Sequence, residues 1–480
     1  MNRSLFPLLA ALLACGVASA LPAQSPPSSA LVLQHVTVVD VRAGRLLANQ
    51  SVVVENGRIT SVGASARSPA GARIVEARGQ YLIPGLWDMH VHAAWDSIDV
   101  LFAPLFVANG VTGVREMYGD MSVIRRWKKQ TAAGEAWPRL LGAGHILDGP
   151  KPFWPGSTVA GTADAARHAV DSLQAAGADF IKVYTRLPHD AYVAALEESK
   201  RIGIPVAGHV PDAVSAGEAS DLGQRAIEHL TGVSTACSTE SDALRAERIA
   251  VATDTSAALL AAYARQTQRI LATQDSTRCA ALMARFVKNH TWQVPTLVVL
   301  RAFAFLNDSQ FTADPRLRYM PDELVKGWDW RNDFRLKART PEAWTNAKLS
   351  YQLSVRIVGA MHRAGVSLLA GTDVLNPFAF PGFSLHDELG LLVDAGLSPA
   401  EALRAATLSP AVFLEATDSL GTVEAGKRAD LVLLDANPLA DIRNTQKIRA
   451  VVLGGRLLDR PALDSLLAAA EALAHPRPNR

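Results

Sequence analysis

The chain has 480 residues and a formal net charge of +2, with 49% hydrophobic and 20% charged residues. This length exceeds what one small compact core needs, so the sequence predicts a large barrel or two domains. The charge is nearly balanced and no basic run alternates with aromatic residues, which excludes nucleic acid as a partner. Beyond the N-terminus, no stretch reaches the ~20 apolar residues of a transmembrane span.

The N-terminus is typical of an export signal. Arg3 precedes an apolar run that extends to Leu13, and the small residues up to Ala20 fit a signal-peptidase site. We therefore predict a signal peptide over residues 1–20 and an exported protein, either periplasmic or secreted. The segment before Cys15 also partly matches a lipoprotein box, so anchoring through an acylated Cys15 stays open.

Two cysteines, Cys237 and Cys279, would remain in a soluble mature chain. Export to an oxidising compartment permits a disulfide between them. Free buried thiols fit the sequence equally well, so the pairing stays open.

The two ends of the chain share one pattern. From Leu31, short alternating runs rich in β-branched residues are separated by turns. The same pattern returns near the C-terminus in Ala429–Leu434 and Ile448–Leu453. We predict one small β-sandwich domain built from residues 31–82 and 422–458. Residues 459–480 then form a C-terminal helix and tail.

Between these ends, apolar runs alternate with helical patterns, which is typical of a parallel α/β fold. Eight runs predict strands: Leu86–His92, Val111–Glu116, Arg139–Ala143, Phe180–Tyr184, Val206–His209, Ala226–His229, Val294–Leu300 and Ser367–Asp373. Eight is the strand number of a (β/α)8 TIM barrel, which we place over residues 83–421. The helical interval 237–293 and the Trp-rich segment 301–347 are interpreted as excursions from one end of the barrel.

Ionisable residues end several of these strands, at the end where a (β/α)8 barrel carries its active site. Alternate residues of a strand point to one face, so His90 and His92 can bind one metal together. Lys182 lies in an apolar run, where an unpaired buried ammonium would cost several kcal/mol. A salt bridge at the strand end is one explanation for this lysine. His209, His229 and Asp373 end further predicted strands, so groups that can bind a metal are expected to converge at one end of the barrel.

In this order, the motifs resemble those of the amidohydrolase superfamily, over about residues 31–458. The matching pieces are Pro84–His92, Ile181–Val183, Ala207–His209, Ile227–His229, Ala370–Asp373 and Gly421–Leu431. The chain is most similar to the imidazolonepropionase-related branch, which includes prolidase-like and Xaa-amino-acid carboxypeptidases. The resemblance implies a distorted barrel, a β-sandwich from both chain ends and two divalent metal ions, usually zinc.

The resemblance also implies roles for the predicted ligands. His90 and His92 would bind the more buried metal with Asp373, and His209 and His229 would bind the other. Lys182 would bridge both metals as a carbamate formed with carbon dioxide. A hydroxide between the metals would attack the substrate carbonyl, with Asp373 as general base and then as acid toward the leaving nitrogen.

Three further residues are weaker candidates for substrate contacts. His145 and Tyr184 follow or end predicted strands, where a substrate carbonyl or carboxylate could lie. His386 matches a pattern after strand eight in relatives, and it can equally support or cap a helix. Specificity is predicted to reside in the loops 149–161 and 301–348.

The predicted function is a secreted binuclear hydrolase that cleaves an amide or other C–N bond of a small molecule or short peptide. A Xaa-Pro or Xaa-amino-acid dipeptidase or carboxypeptidase is the first alternative, and it needs a group that binds a free carboxylate, for which Arg186, Arg301 and Tyr184 are available. A mononuclear deaminase is disfavoured by Lys182, and a non-catalytic binding protein by the complete ligand set. A homo-oligomer is left open.

Overall fold

A computed structural model describes residues 30–252, 254–309 and 313–476. The predicted signal peptide and Cys15 lie outside these residues. Within the described ranges, no helix has both the length and the apolar character that crossing a bilayer requires.

The described residues form seventeen strands. Those of the first half are β1 (Leu31–Asp40), β2 (Arg45–Glu55), β3 (Arg58–Gly63), β4 (Arg73–Glu76), β5 (Tyr81–Pro84), β6 (Leu86–Val91), β7 (Val111–Glu116), β8 (Arg139–Gly142), β9 (Leu147–Asp148) and β10 (Thr158–Val159). The later strands are β11 (Ile181–Val183), β12 (Val206–Gly208), β13 (Ala226–Glu228), β14 (Trp292–Val294), β15 (Leu431–Leu434), β16 (Ile448–Leu453) and β17 (Arg456–Asp459).

Sixteen α-helices lie in the described residues. The first nine are α1 (Ile98–Ala108), α2 (Met121–Ala132), α3 (Ala163–Ala176), α4 (His189–Ile202), α5 (Ala216–Asp221), α6 (Val233–Ala236), α7 (Ser241–Ala250), α8 (Ser256–Ala272) and α9 (Ser276–Lys288). The others are α10 (Leu297–Phe305), α11 (Asp322–Gly327), α12 (Pro341–Arg363), α13 (Phe383–Asp394), α14 (Pro399–Ala405), α15 (Leu408–Phe413) and α16 (Arg460–Ala474).

Strands from both chain ends pair in one eight-stranded sheet, in the order β17-β16-β15-β5-β1-β2-β3 with β4 beside β1. The two ends meet in the antiparallel pair β5–β15, where Leu82 lies opposite Leu433. Alternate residues of these strands, including Leu31 and Leu431, bury their side chains in one hydrophobic cluster. Because strands that precede β6 and strands that follow α15 pair in the same sheet, the middle of the chain is an insertion into it.

The middle is an α/β fold with two parallel sheets, as predicted. Their strand orders are β6-β7-β8 and β10-β9-β11-β12-β13-β14. The segment that follows α12 runs between them, since Leu368 forms a parallel bridge with Gln293 and Val374 with Val91. The carboxyl ends of these strands therefore lie at one edge, where the loops that follow them meet.

The predicted strand Val294–Leu300 is wrong. Strand β14 ends at Val294, and α10 begins at Leu297 after Thr296, whose backbone is left-handed at φ 48°. A short, wholly apolar run has no periodicity that separates a buried strand from a buried helix. The predicted strand Ser367–Asp373 is also not a continuous strand. This segment forms only isolated β-bridges, which are parallel.

The structure joins Cys237 and Cys279 in a disulfide. Cys237 ends α6 and Cys279 lies in α9, so the bond closes the base of the helical excursion that contains α7 and α8. Pairing, which the sequence left open, is thus the state found in the structure.

Candidate metal centre

Three of the predicted ligands surround one position at the carboxyl end of β6. Asp373 Oδ1 lies 3.3 Å from His90 Nε2 and 2.9 Å from His92 Nε2. One ligand atom from each of these residues lies within 4.8 Å of the other two. Two imidazole nitrogens and a carboxylate oxygen at this spacing can bind a single divalent cation.

The remaining predicted ligands border this position. The His229 ring lies 4.4 Å from the His90 ring and 5.1 Å from the His209 ring, between centroids. Lys182, only 1% exposed, lies on β11 beside them. In the described part of the chain no carboxylate is within ion-pair distance of its Nζ. Burial lowers the pKa of Lys182 to about 8, although the negative charges of Glu228 and Asp373 raise it. The structure therefore brings all six predicted ligands to one place.

Two glycines of the sequence motifs allow this close approach. A Cβ at Gly208 would lie 2.2 Å from the Val183 carbonyl oxygen, and its φ of +136° is rarely adopted by other residues. A Cβ at Gly371 would lie 2.9 Å from the Cβ of His90. Glycine at these positions lets His209 and Asp373 reach the centre from neighbouring strands.

Three residues at the centre have left-handed backbone conformations: His229 at φ 56°, Thr296 at 48° and Asp373 at 58°. Such conformations cost of order 1–3 kcal/mol for non-glycine residues and persist where the surrounding structure enforces them. Because three such conformations occur together at these strand ends, the fold accepts backbone strain here in order to direct these side chains.

Each of three imidazoles is fixed by a hydrogen bond at Nδ1. His90 Nδ1 lies 2.7 Å from a Glu228 oxygen, His209 Nδ1 3.0 Å from Thr185 Oγ1, and His229 Nδ1 2.7 Å from Thr296 Oγ1. An ionised carboxylate only accepts, and Thr296 already donates to the Pro295 carbonyl. His90 and His229 therefore carry their proton on Nδ1, which leaves the Nε2 lone pair free for a cation.

Glu228 is held in turn by Arg115, which donates to it over 2.7 Å and also donates to the Met89 carbonyl. Burial raises the pKa of Glu228, but Arg115 and His90 outweigh it and lower the pKa to about 2. Glu228 thus stays ionised and orients His90. Glu228 lies within the motif Ile227–His229, but the motif did not indicate this role, and no sequence pattern marked Thr185 or Thr296.

The protonation states suit a cation. Burial lowers the pKa of the three fixed imidazoles, to about 3 for His229, and the Lys182 charge adds to the effect. Burial raises the pKa of Asp373, yet His229 and His90 outweigh it and hold that pKa well below its usual range. Neutral imidazoles and an ionised carboxylate are the forms that bind metals.

Buried atoms without partners test this fit independently. His90 Nε2 and Asp373 Oδ1 are buried and have no hydrogen-bond partner. Buried polar atoms are nearly always satisfied, so such a pair needs an explanation. A divalent cation between them would satisfy both atoms at once.

The structure places the three weaker candidates for substrate contacts in different surroundings. The Tyr184 ring stacks on His209 at 3.9 Å, so Tyr184 lies at the centre. His145 is half-buried and lies 6.3 Å from the Tyr118 ring, with no contact to the ligands in the described residues. His386 is buried elsewhere, with its ring nitrogens bonded to Thr445 and the Asn109 carbonyl. This placement favours the helix-supporting role of His386 and does not support its predicted substrate contact.

We expect Thr296→Val to weaken metal binding by about 10- to 100-fold, because the hydroxyl that fixes the His229 tautomer is lost. Valine keeps the volume and the β-branched shape of threonine. Titration of the metal-free protein with zinc under competition from a chelator would measure the change.

Thr291→Val is the matched control for Thr296→Val. Thr291 is also buried and hydrogen-bonded through its hydroxyl, but to Ser220 at the opposite end of β14. Equal zinc affinities in the Thr296 and Thr291 variants would contradict the orienting role of Thr296.

The sequence of this chain is similar to the sequences of known proteins. A model of the amidohydrolase family matches residues 336–458. Imidazolonepropionase from Micrococcus luteus is 27% identical over 421 residues, which cover 84% of this chain and 92% of the relative. Ochratoxinase from Aspergillus niger is 30% identical over 127 residues, 25% of each chain.

Solved structures of other proteins are similar to this chain in fold. Bottromycin amidohydrolase superposes with a TM-score of 0.70 and 24% identity, covering 92% of this chain and 90% of its own. A Xaa-Pro dipeptidase superposes with a TM-score of 0.66 and 18% identity, covering 90% and 100%. These likenesses show that the α/β fold of this chain resembles the fold of amidohydrolases of the TIM-barrel type. Residues 336–458 therefore match the amidohydrolase family, whose members generally use divalent metals, and the homologues of the chain are hydrolases that act on C–N bonds.

Proposed function

We propose that this protein is an exported hydrolase that cleaves an amide or related C–N bond of a small molecule or short peptide with two divalent metal ions, zinc by preference. The observation that carries the proposal is the convergence of four imidazoles, Asp373 and the unpaired Lys182 at one set of strand ends. The two orphaned atoms, His90 Nε2 and Asp373 Oδ1, support a cation there.

The ligands divide into two groups around Lys182. His90, His92 and Asp373 would hold one cation, and His209 and His229 would hold the other. Lys182 would serve both after its amine is converted to a carbamate, because this reaction turns a costly buried cation into an anion with two ligand oxygens. The lowered pKa of Lys182 favours the neutral amine that reacts with carbon dioxide.

When bound, two such cations lower the pKa of water toward neutrality and polarise a carbonyl. Asp373 is ionised and can therefore accept a proton from the attacking water. It then returns that proton to the nitrogen as the C–N bond breaks, which makes the leaving group a neutral amine. Glu228 and Arg115 keep His90 in place throughout.

We further propose that the parallel strands close into a distorted (β/α)8 barrel and that the sheet of the chain ends belongs to a β-sandwich. The backbone hydrogen bond from Asp179 N to Gly142 O, 2.9 Å, supports closure between β8 and β11. The cluster around Leu33 and Leu433, separate from the barrel cluster, supports a second core.

Export remains a proposal from the N-terminal pattern. The Cys237–Cys279 disulfide supports it, because such bonds persist in oxidising compartments. A dipeptidase that binds a free carboxylate through Arg186 is less favoured, since Arg186 already donates to the Lys151 and Asp254 carbonyls.

The test is metal content together with hydrolysis. We expect about two zinc ions per mature chain by elemental analysis, and turnover of acylated amino acids or dipeptides that a chelator removes and zinc restores. Turnover that survives complete metal removal would contradict the proposal, and so would a zinc-loaded protein that cleaves no C–N substrate of either series.

A further inference from the structure

A group of aromatic side chains lies beside the metal centre and has no role in the proposed hydrolysis. Phe153 and Trp154 come from the loop before α3, and Phe334 comes from the segment between α11 and α12. Their ring centroids are 5.3 Å apart for Phe153–Trp154, 5.9 Å for Trp154–Phe334 and 6.1 Å for Phe153–Phe334. We call these three residues the aromatic cluster.

Tyr184 connects the aromatic cluster to the metal centre. Its ring lies 6.0 Å from the Phe153 ring, and its hydroxyl accepts a 2.8 Å hydrogen bond from Trp154 Nε1. On the other side, Tyr184 stacks on His209. One ring therefore separates the aromatic cluster from a predicted metal ligand.

The polypeptide around Phe334 is anchored while its ring stays accessible. Arg335 pairs with the buried Asp333 over 2.6 Å and donates to Asn376 over 2.9 Å, three residues after Asp373. The Phe334 side chain is nevertheless 44% exposed. An aromatic ring held in place beside an active site, but not buried by the fold, is available to a ligand.

We propose that Phe153, Trp154 and Phe334 form a subsite for an uncharged aromatic or other large apolar group next to the scissile C–N bond. Aromatic rings attract one another at centroid distances of 4.5–7 Å, so a third ring can join this arrangement. The nearby Arg335 charge is already matched by Asp333, which favours a neutral group over a charged one. This inference rests on the proposed function.

Hydrolysis of three dipeptides by the metal-loaded enzyme tests the subsite: Ala-Ala, Ala-Phe and Phe-Ala. We expect kcat/KM for one of the two phenylalanine dipeptides to exceed that for Ala-Ala by about tenfold or more. In Phe334→Ala this preference should fall to about twofold. Leu349→Ala is the control, since Leu349 has a matched exposure of 43% on α12 and should leave the preference unchanged.

A binding measurement separates failure of the subsite from failure of the proposed function. By calorimetry, 3-phenylpropionate should bind at least about fivefold more tightly than propionate, and Phe334→Ala should remove the difference. This result without any dipeptide hydrolysis would support the subsite and count against the peptide-cleaving function. Equal binding of the two acids, or a preference that survives Phe334→Ala, would overturn the subsite whatever the activity. Circular dichroism would confirm that the variants are folded.

Discussion

Replacing Asp373 by alanine should abolish turnover, with kcat reduced on the order of 10³-fold or more, while the fold stays nearly intact. The carboxylate lies 2.9 Å from His92 Nε2 and 3.3 Å from His90 Nε2, and its lowered pKa keeps it ionised. Glu228 cannot take over this role, because it is committed to His90 and Arg115. Steady-state kinetics on protein of known metal content would measure the loss.

Two variants separate proton transfer from metal binding at this position. Asp373→Asn keeps an oxygen that can bind a cation but cannot exchange a proton, so it should retain more metal than Asp373→Ala at similarly low kcat. Asp99→Asn is the control, since Asp99 is also buried but pairs with Arg126 away from the centre. An Asp373→Ala protein with full metal content and retained turnover would disprove the acid–base role.

The convergence of the proposed ligands was predictable because they lie near the carboxyl ends of short strands or, for Asp373, in a segment that bridges to those strands in parallel. The period of a strand aligns His90 with His92, and parallel strands bring their carboxyl ends to one edge, so sequence position alone indicated that Lys182 and Asp373 approach them. Helix ends also depend on local signals, as in α3, where Thr162 caps the N-terminus and Gly177 the C-terminus.

The residues that support the ligands were harder to predict because their contacts are not local. Thr296 bonds to His229 across 67 positions, and Thr185 bonds to His209 across 24. No spacing rule links residues that far apart in one sequence. The helix α10 was missed for another reason, since its wholly apolar start fits a strand and a buried helix equally well.

The contacts within the aromatic cluster, which lies in loops, were also not predictable from the sequence. The sequence assigned specificity to the segments 149–161 and 301–348 from their position after strands. It did not indicate that Trp154 and Phe334 would meet, because this contact depends on the ion pair of Arg335 and on its bond to Asn376.

Lys182→Ala should lower the zinc content from about two ions per chain toward one or none and reduce turnover by a factor on the order of 10² or more. Lys182 is buried on β11 without a carboxylate in ion-pair distance, so no ion pair compensates the cost of burying its ammonium group. The proposed conversion to an anionic ligand would make its position favourable. Elemental analysis of both proteins would measure the metal loss.

The stability of the metal-free protein provides a second readout. Lys182→Met keeps the volume of the side chain and removes a buried charge, so the metal-free variant should melt at the same or a higher temperature than the metal-free parent. Zinc should then stabilise the parent far more than the variant, because the variant lacks the shared ligand. Lys128→Ala, which removes a half-exposed lysine paired with Asp179, should leave the zinc content unchanged. About one metal in both the parent and Lys182→Ala would remove the bridging role of Lys182 and favour the mononuclear deaminase instead.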